Sequence, residues 1–251
     1  MRKYLFIIIL LLFCSIVYSA GIDENVVLLL HGNGDLSDSS AEENSVTAGN
    51  LTIETTIKKF GSGAIALNNG QGSVADNAAF DPGSSDYTMD FWTYSAAKQA
   101  TFRFPTSGDF NWQFLGSDPG PKTFAWEADD TQLFVGHDTD IQDESWHHVL
   151  IERYGDELSI WLDGTKFGTT DEFNTSASLR ATAGDILIGK SGAANGYIDE
   201  VRYSVGVART HDSNDPCYSS NGTTFSVPTE EYSEGAPPAA DNVQLIVTFL
   251  I

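Results

Sequence analysis

The chain has 251 residues, 41% of them hydrophobic, and a formal charge of −22. That length allows one large β domain or two small ones, and a sandwich of roughly 200 residues buries an adequate core without disulfides. So acidic a surface repels nucleic acid and anionic membranes and suits bound cations or salty water, with plain solubilisation as the alternative.

Arg2 and Lys3 give a basic start, residues 4–17 are almost wholly apolar, and Ser19 and Ala20 supply small residues. This is the pattern of a signal peptide, cleaved after Ser19, that exports the chain to the cell surface, periplasm or medium. The apolar run is shorter than the roughly 20 residues of a membrane span, so no span is expected in the mature chain. Bulky Phe13 precedes Cys14, against a lipoprotein signal. Cleavage leaves Cys217 alone, so no internal disulfide is expected. Cys217 reads as a small, semi-buried loop residue.

Residues 22–227 read as one β domain. Short alternating or apolar runs recur, broken by Gly, Asn, Asp and Ser, the pattern of an all-β sandwich. Residues 26–30 are continuously apolar, so a strand buried on both faces is predicted. Residues 51–55 alternate, and 64–67 follow a glycine turn. Tyr87, Met89 and Phe91 share one face of a strand whose other face carries Thr88, Asp90, Trp92 and Tyr94; aromatics on both faces place it centrally. Shorter strands are predicted over 101–104, 112–115, 123–126 and 133–136, separated by prolines that central ladders exclude. Residues 145–170 form a meander with Gly155-Asp156 and Asp163-Gly164 turns, the second a strong hairpin signal. Residues 186–188 and 197–203 close the set.

Residues 228–251 read as a linker and a terminal strand. Residues 228–240 are rich in Pro, Glu and Ala. Residues 242–251 are apolar, and their opening, Asp241-Asn242-Val243, is similar to Glu24-Asn25-Val26. Either a truncated second repeat starts there, or a strand pairs with an open sheet edge.

Several segments resemble, in order, the laminin-G-like jelly-roll family of the concanavalin A-like lectin/glucanase superfamily. They are residues 27–34 with Asp38-Ser39-Ser40, 59–67 (KFGSGAIAL), 86–92 (DYTMDFW), the Trp146-His147-His148 meander and 196–202 (GYIDEVR) followed by Val207-Ala208-Arg209. Asn68-Asn69-Gly70 departs from the family pattern at one turn. The resemblance spans about residues 26–227 and implies a two-sheet antiparallel jelly-roll sandwich, concanavalin A-like. Such domains bind glycans or proteins and often hold one calcium ion; some relatives in the wider class hydrolyse glycosides. First and last strands lie close in this sandwich, so Asp38 is expected to meet Asp199. Asp35 and carbonyls near Gly32 and Asn195 would complete a structural Ca2+ shell of hard oxygens. The alternative is an Asp-Ser turn and a surface acid.

Glycoside hydrolysis needs two facing carboxylates. The nearest match, Glu127-Ala128-Asp129-Asp130-Thr131-Gln132, ends in an amide. Asp199 and Glu200 are neighbours, as are His147 and His148, so each pair is expected to split between the two faces of a strand. One histidine should then be inside and one exposed. No Ser or Cys nucleophile has a recognisable partner, and no zinc spacing is present. Trp92 and Trp146 read as core. Trp112, in a loop-rich stretch, and Trp161, facing away from the Leu158/Ile160 side, are the candidates to touch a ligand. Asp138, Asp140 and Asp143 read as a solvated acidic loop. The expected function is non-catalytic binding of a glycan or a surface protein. The competing class is an adhesive or fibre component without sugar affinity; the signal peptide argues against a virion part. Composition leaves the oligomeric state open.

Overall fold

Apolar and β-branched residues at every second position build two stacked antiparallel sheets. The computed structural model describes residues 23–95, 99–103, 111–115, 122–128, 131–137, 141, 143–170, 184–189 and 195–233; within it, side chains of 99–103, 111–115, 122–128, 131–137 and 167–170 are not described. The strands of the first sheet are β1 (Val26–Leu30), β3 (Thr52–Glu54), β4 (Ala64–Ala66), β6 (Tyr87–Tyr94), β11 (Trp146–Tyr154), β12 (Glu157–Leu162), β13 (Thr165–Thr170) and β15 (Tyr197–Val205). They run β13-β12-β11-β6-β15-β4-β3, with β1 also pairing β15. The second sheet runs β10-β9-β8-β7-β14-β5-β2. Its strands are β2 (Val46–Thr47), β5 (Gln71–Val74), β7 (Gln99–Arg103), β8 (Asn111–Leu115), β9 (Lys122–Ala128), β10 (Thr131–His137) and β14 (Ile186–Gly189). Among the described residues, helical structure is limited to two 3-10 turns, Ala78–Phe80 and Arg209–His211.

One core lies between the sheets. It takes Leu28 and Leu30 from β1, Tyr87, Met89 and Phe91 from β6, Val149 and Ile151 from β11, Leu158, Ile160 and Leu162 from β12, Ile186 and Ile188 from β14, and Val201 and Tyr203 from β15. As predicted, β1 is buried throughout and β6 is central, flanked by β11 and β15. Asp163 and Gly164 have φ of +48° and +75°, and Leu162 pairs directly with Thr165. This is the two-residue hairpin expected of Asp-Gly, whose right-handed twist needs positive φ at both centres.

The outward face of the first sheet is polar, and a strap formed by residues 206–233 crosses it. Thr223 to Phe225 lie along the β12–β13 turn: Lys166 N–H donates to Thr223 O, and Phe225 N–H to Gly164 O. Of the expected linker, residues 228–233 are described. Residues 229–231 are exposed, while Pro228 and Tyr232 are buried, Tyr232 at 2% exposure against β1. Its ring gives the segment a side chain worth burying, which the surrounding Pro, Glu and Ser concealed. Residues 1–22 and 234–251, which hold the expected signal peptide and terminal strand, lie outside the described residues.

Candidate functional site

The outward face is organised in rows, because directly paired residues of neighbouring strands share a face. Thr88 of β6 pairs with Glu152 of β11 and Ser204 of β15. Next come Asp90, Leu150 and Arg202, then Trp92, His148 and Asp199, and last Tyr94, Trp146 and Tyr197. The strap covers the first three rows to different extents.

At the first row, Glu152 accepts from Thr210 N at 2.7 Å and faces His211 at 3.4 Å. Burial pushes its carboxyl above the ordinary range against these donors. Arg209 donates to Ser204 Oγ and, through both terminal nitrogens, to Asp23 at 2.6 and 2.8 Å. At the second row, Arg202, with no exposure, donates through Nε to Asp90 at 2.9 Å and through Nη1 to Asp215 at 2.7 Å. Tyr232 lays its ring over that guanidinium, 4.1 Å from ring centroid to Cζ, and its hydroxyl donates to Asp90. Burial would raise the Asp90 carboxyl, but Arg202 overrides it and holds it at about 2. Every charge here is paired, as low-dielectric burial requires.

At the third row, β15 carries a bulge. Asp199 pairs with Trp92 and Arg202 with Asp90, so β15 has one extra residue, and Glu200 takes the strain at φ +51°. The bulge overturns the expectation that Asp199 and Glu200 split between faces. Asp199 accepts from the Lys59 and Phe60 N–H groups at 2.8 and 3.1 Å and from Glu200 N at 3.0 Å. Glu200 accepts from the strap at Tyr232 N, 2.8 Å away, and meets His31 Nδ1 at 2.9 Å. Burial, helped by the Glu200 charge, raises Asp199 to about 7 despite its N–H donors.

Lys59 reaches over Trp92 with its ammonium 3.7 Å from the ring centroid, and Phe60 meets the same ring edge-on at 5.8 Å. Burial lowers the Lys59 ammonium despite Asp163 and Asp199 nearby. Trp92 is buried as expected, although in the outward row.

The fourth row lies beyond the strap. Tyr94, Trp146 and Tyr197 are each only partly buried. The Tyr94 ring centroid is 5.6 Å from that of Trp146 and 5.8 Å from that of Tyr197, with ring planes inclined 57° and 62°. Three strands therefore place three rings side by side. Polar groups rim them. Ser95 donates to Asn195 O at 3.3 Å and accepts from Glu144 N at 3.0 Å, and Asp143, Glu144 and Asn195 are exposed. His147, beside Trp146, is gripped by Asp163 at 2.7 Å and Asp143 at 3.1 Å. The Asp163 bond, outweighing burial, raises its imidazole above the ordinary range.

Several predicted site residues move. Trp161 does face away from the core, but Leu150, Cys217 and Phe225 enclose it and leave it 0% exposed. Its indole N–H donates to Ser159 Oγ at 2.9 Å. It cannot receive a sugar as placed; the strap, which periodicity does not reveal, covers it. Trp112 lies on β8 opposite Phe102 and Trp126, and its side chain lies outside the described residues. So do the side chains of Glu127 and Gln132, which pair across β9 and β10, and all of Asp129, Asp130, Asp138 and Asp140. Trp146, read as core, belongs to the open row. Both His147 and His148 are buried, at 8% and 0% exposure, because strap and hairpin turn cover the outward side too.

The residues expected to hold calcium have protein donors of their own. Asp38 accepts from Leu29 N, Ser40 N, Ser40 Oγ and both nitrogens of Asn44 at 2.7–2.9 Å. It organises the loop after β1. Exposed Asp35 is turned onto Ser37, whose bonds lower its carboxyl. Asp38, with five N–H and hydroxyl donors, has no lone-pair direction left for a calcium ion, whereas Asp199, with three, keeps one. Among the described residues, the convergent donor sets are Asp90–His148–Cys217 and His31–Glu200–Glu231, and neither contains Asp35, Asp38 or Asp199.

The family model described as the concanavalin A-like lectin/glucanases superfamily, a laminin-G type, matches residues 67–212. The chain belongs to this superfamily. The match takes in β6, β11 and β15 and ends within the strap, so residues 213–233 lie outside it. Solved structures agree on the fold. Domain 4 of AbnA, a GH43 extracellular arabinanase from Geobacillus stearothermophilus solved with arabinotriose, is 16% identical, with a TM-score of 0.59 over 75% of this chain and 95% of that one. The binding domain of Paraclostridial Mosquitocidal Protein 1 is 14% identical, with a TM-score of 0.58 over 72% of this chain and 48% of that one. The binding domain of botulinum neurotoxin DC, solved in complex with SialylT, gives 14%, 0.57, 72% and 48%. This superfamily member thus spans about half the length of the two toxin chains. No curated protein matches it. Among the described residues, no helix is long and apolar enough to cross a membrane.

Proposed function

We propose that this superfamily member is a non-catalytic glycan-binding module whose sugar rests on Tyr94, Trp146 and Tyr197. The observation that carries this reading is the partly exposed three-ring row on the outward sheet face, beyond the strap among the described residues. Partly exposed rings with convergent polar neighbours suit a sugar, whose apolar C–H face packs on aromatics while its hydroxyls need hydrogen bonds. Exposed Asp143, Glu144 and Asn195 supply such groups. The arabinotriose and SialylT complexes of the two structural neighbours support a sugar ligand. The buried acids support a non-catalytic role: Asp90, Glu152, Asp199 and Glu200 are each committed to protein donors. Export through residues 1–19 completes the proposal, and the N-terminal sequence of the secreted chain tests it, with Ala20 expected first.

A glycan array with the purified chain tests the binding. Binding to at least one glycan class, lost in Trp146→Ala and retained in Trp161→Phe, is expected. Silence across polysaccharides and oligosaccharides would leave the adhesive, sugar-free reading.

A further inference from the structure

Sequence spacing gives no zinc motif, yet folding brings Cys217 of the strap to His148 of β11 and Asp90 of β6. We propose that Asp90, His148 and Cys217 form a buried site for a borderline-soft divalent ion of the zinc type, which staples the strap to the sheet. The three donor atoms lie within 4.8 Å of one another, and all three residues are 0% exposed.

An independent observation points into the same place. Neither ring nitrogen of His148 has a hydrogen-bond partner, and Nε2 faces Asp90 Oδ2 at 3.4 Å without hydrogen-bond geometry. A buried polar group left without a partner destabilises a fold, and such a group in a native fold calls for a water or an ion. The adjoining Trp92 ring, 5.1 Å from His148, has an unpartnered Nε1 as well, but an indole N–H cannot ligate a cation. That leaves the imidazole as the ligand.

The donor chemistry selects the ion. Imidazole nitrogen, thiolate sulfur and carboxylate oxygen suit zinc, whereas calcium takes six to eight oxygens. Asp90 keeps acceptor capacity: Arg202 Nε, Arg202 Nη2 and the Tyr232 hydroxyl use three of about four lone-pair directions. Charge also balances. Asp23, Asp90 and Asp215 face Arg202 and Arg209, leaving one surplus negative charge. On binding, the Cys217 S–H bond breaks, its proton leaves to solvent, and the sulfur lone pair forms the metal bond. A dication exchanged for one proton adds one positive charge and brings that sum to zero.

The test uses the full chain, stripped with chelator and titrated with Co2+, then with Zn2+ in competition. One bound equivalent with a thiolate-to-cobalt charge-transfer band, displaced by Zn2+, is expected. Cys217→Ala and His148→Gln should lose the band and at least about tenfold in Zn2+ affinity. His31→Gln, at the other donor cluster, should change neither. X-ray absorption of the zinc-loaded wild type needs no variant, so a folding defect cannot mask the answer. One sulfur neighbour is expected. A shell of nitrogen and oxygen only, no uptake by the folded chain, or unchanged affinity in both folded variants would overturn the proposal.

Discussion

Two ends of one sheet face have opposite fates. At the Asp90–Arg202 end, a charged surface is closed by residues 206–233 and every charge is paired. At the Tyr94 end, the same three strands present aromatic rings that stay partly exposed. A charged face costs too much to bury unless the covering segment brings partners, and the strap brings Arg209, Thr210, Asp215 and Tyr232. Aromatic rings need no such partners, so a face of rings can wait for a ligand. The contrast separates the part of this face that holds the fold from the part available for binding.

The sharpest way to break the closed end is Arg202→Met. It strands Asp90 without its cation and leaves Asp215 to Arg209 alone, at a cost of about 3–5 kcal/mol. Urea melts should show that loss, and a variant as stable as the wild type would dissolve the distinction. Asp199 is a subtler probe. Its carboxyl is raised from 3.8 to about 7 in the fold, so it binds a proton the unfolded chain has lost. Stability is therefore lost as pH rises from about 4 to about 7, by no more than about 4 kcal/mol. Asp199→Asn keeps an acceptor for the Lys59 and Phe60 N–H groups, and its melting midpoint should fall less over that range.

Gly164→Ala should cost about 1–3 kcal/mol. The residue has φ +75°, and a Cβ would strike the Phe225 carbonyl oxygen. Hydrogen exchange should quicken in residues 217–233 before it does in β6. The smallest effect concerns calcium. Because Asp38 is filled by protein donors, melts with the ion and with chelator should share a midpoint; a rise with calcium would mean that hard-oxygen ligands assemble after all.

Much of the fold was legible because it rests on local pattern. The continuous apolar run of β1, the two-sided β6 and the Asp163-Gly164 hairpin each follow from side-chain period or backbone φ. The short strands β2 and β5 were missed, since two residues carry no period and Gly72 interrupts the other. The site was less legible because it depends on register and on long-range covering. Tyr94, Trp146 and Tyr197 lie far apart in sequence and become one row only through the pairings Trp146–Tyr94–Tyr197. Trp161 was assigned to the correct face, but nothing local tells that Phe225 and Cys217 cover it. The Glu200 bulge defeats simple alternation. Asp38 looked like a metal ligand because a carboxylate that caps a loop uses the same oxygens. The nearest available signal was Tyr232, a lone aromatic in an otherwise linker-like stretch.

The most direct measurement is calorimetric titration of the best array glycan into the wild type and Trp146→Ala, with thermal melts of both. Affinity should fall at least about tenfold, or ~1.4 kcal/mol, while the melting midpoint hardly moves, because the ring is only partly buried. Undiminished affinity in a folded Trp146→Ala chain would contradict the three-ring site and place the glycan elsewhere.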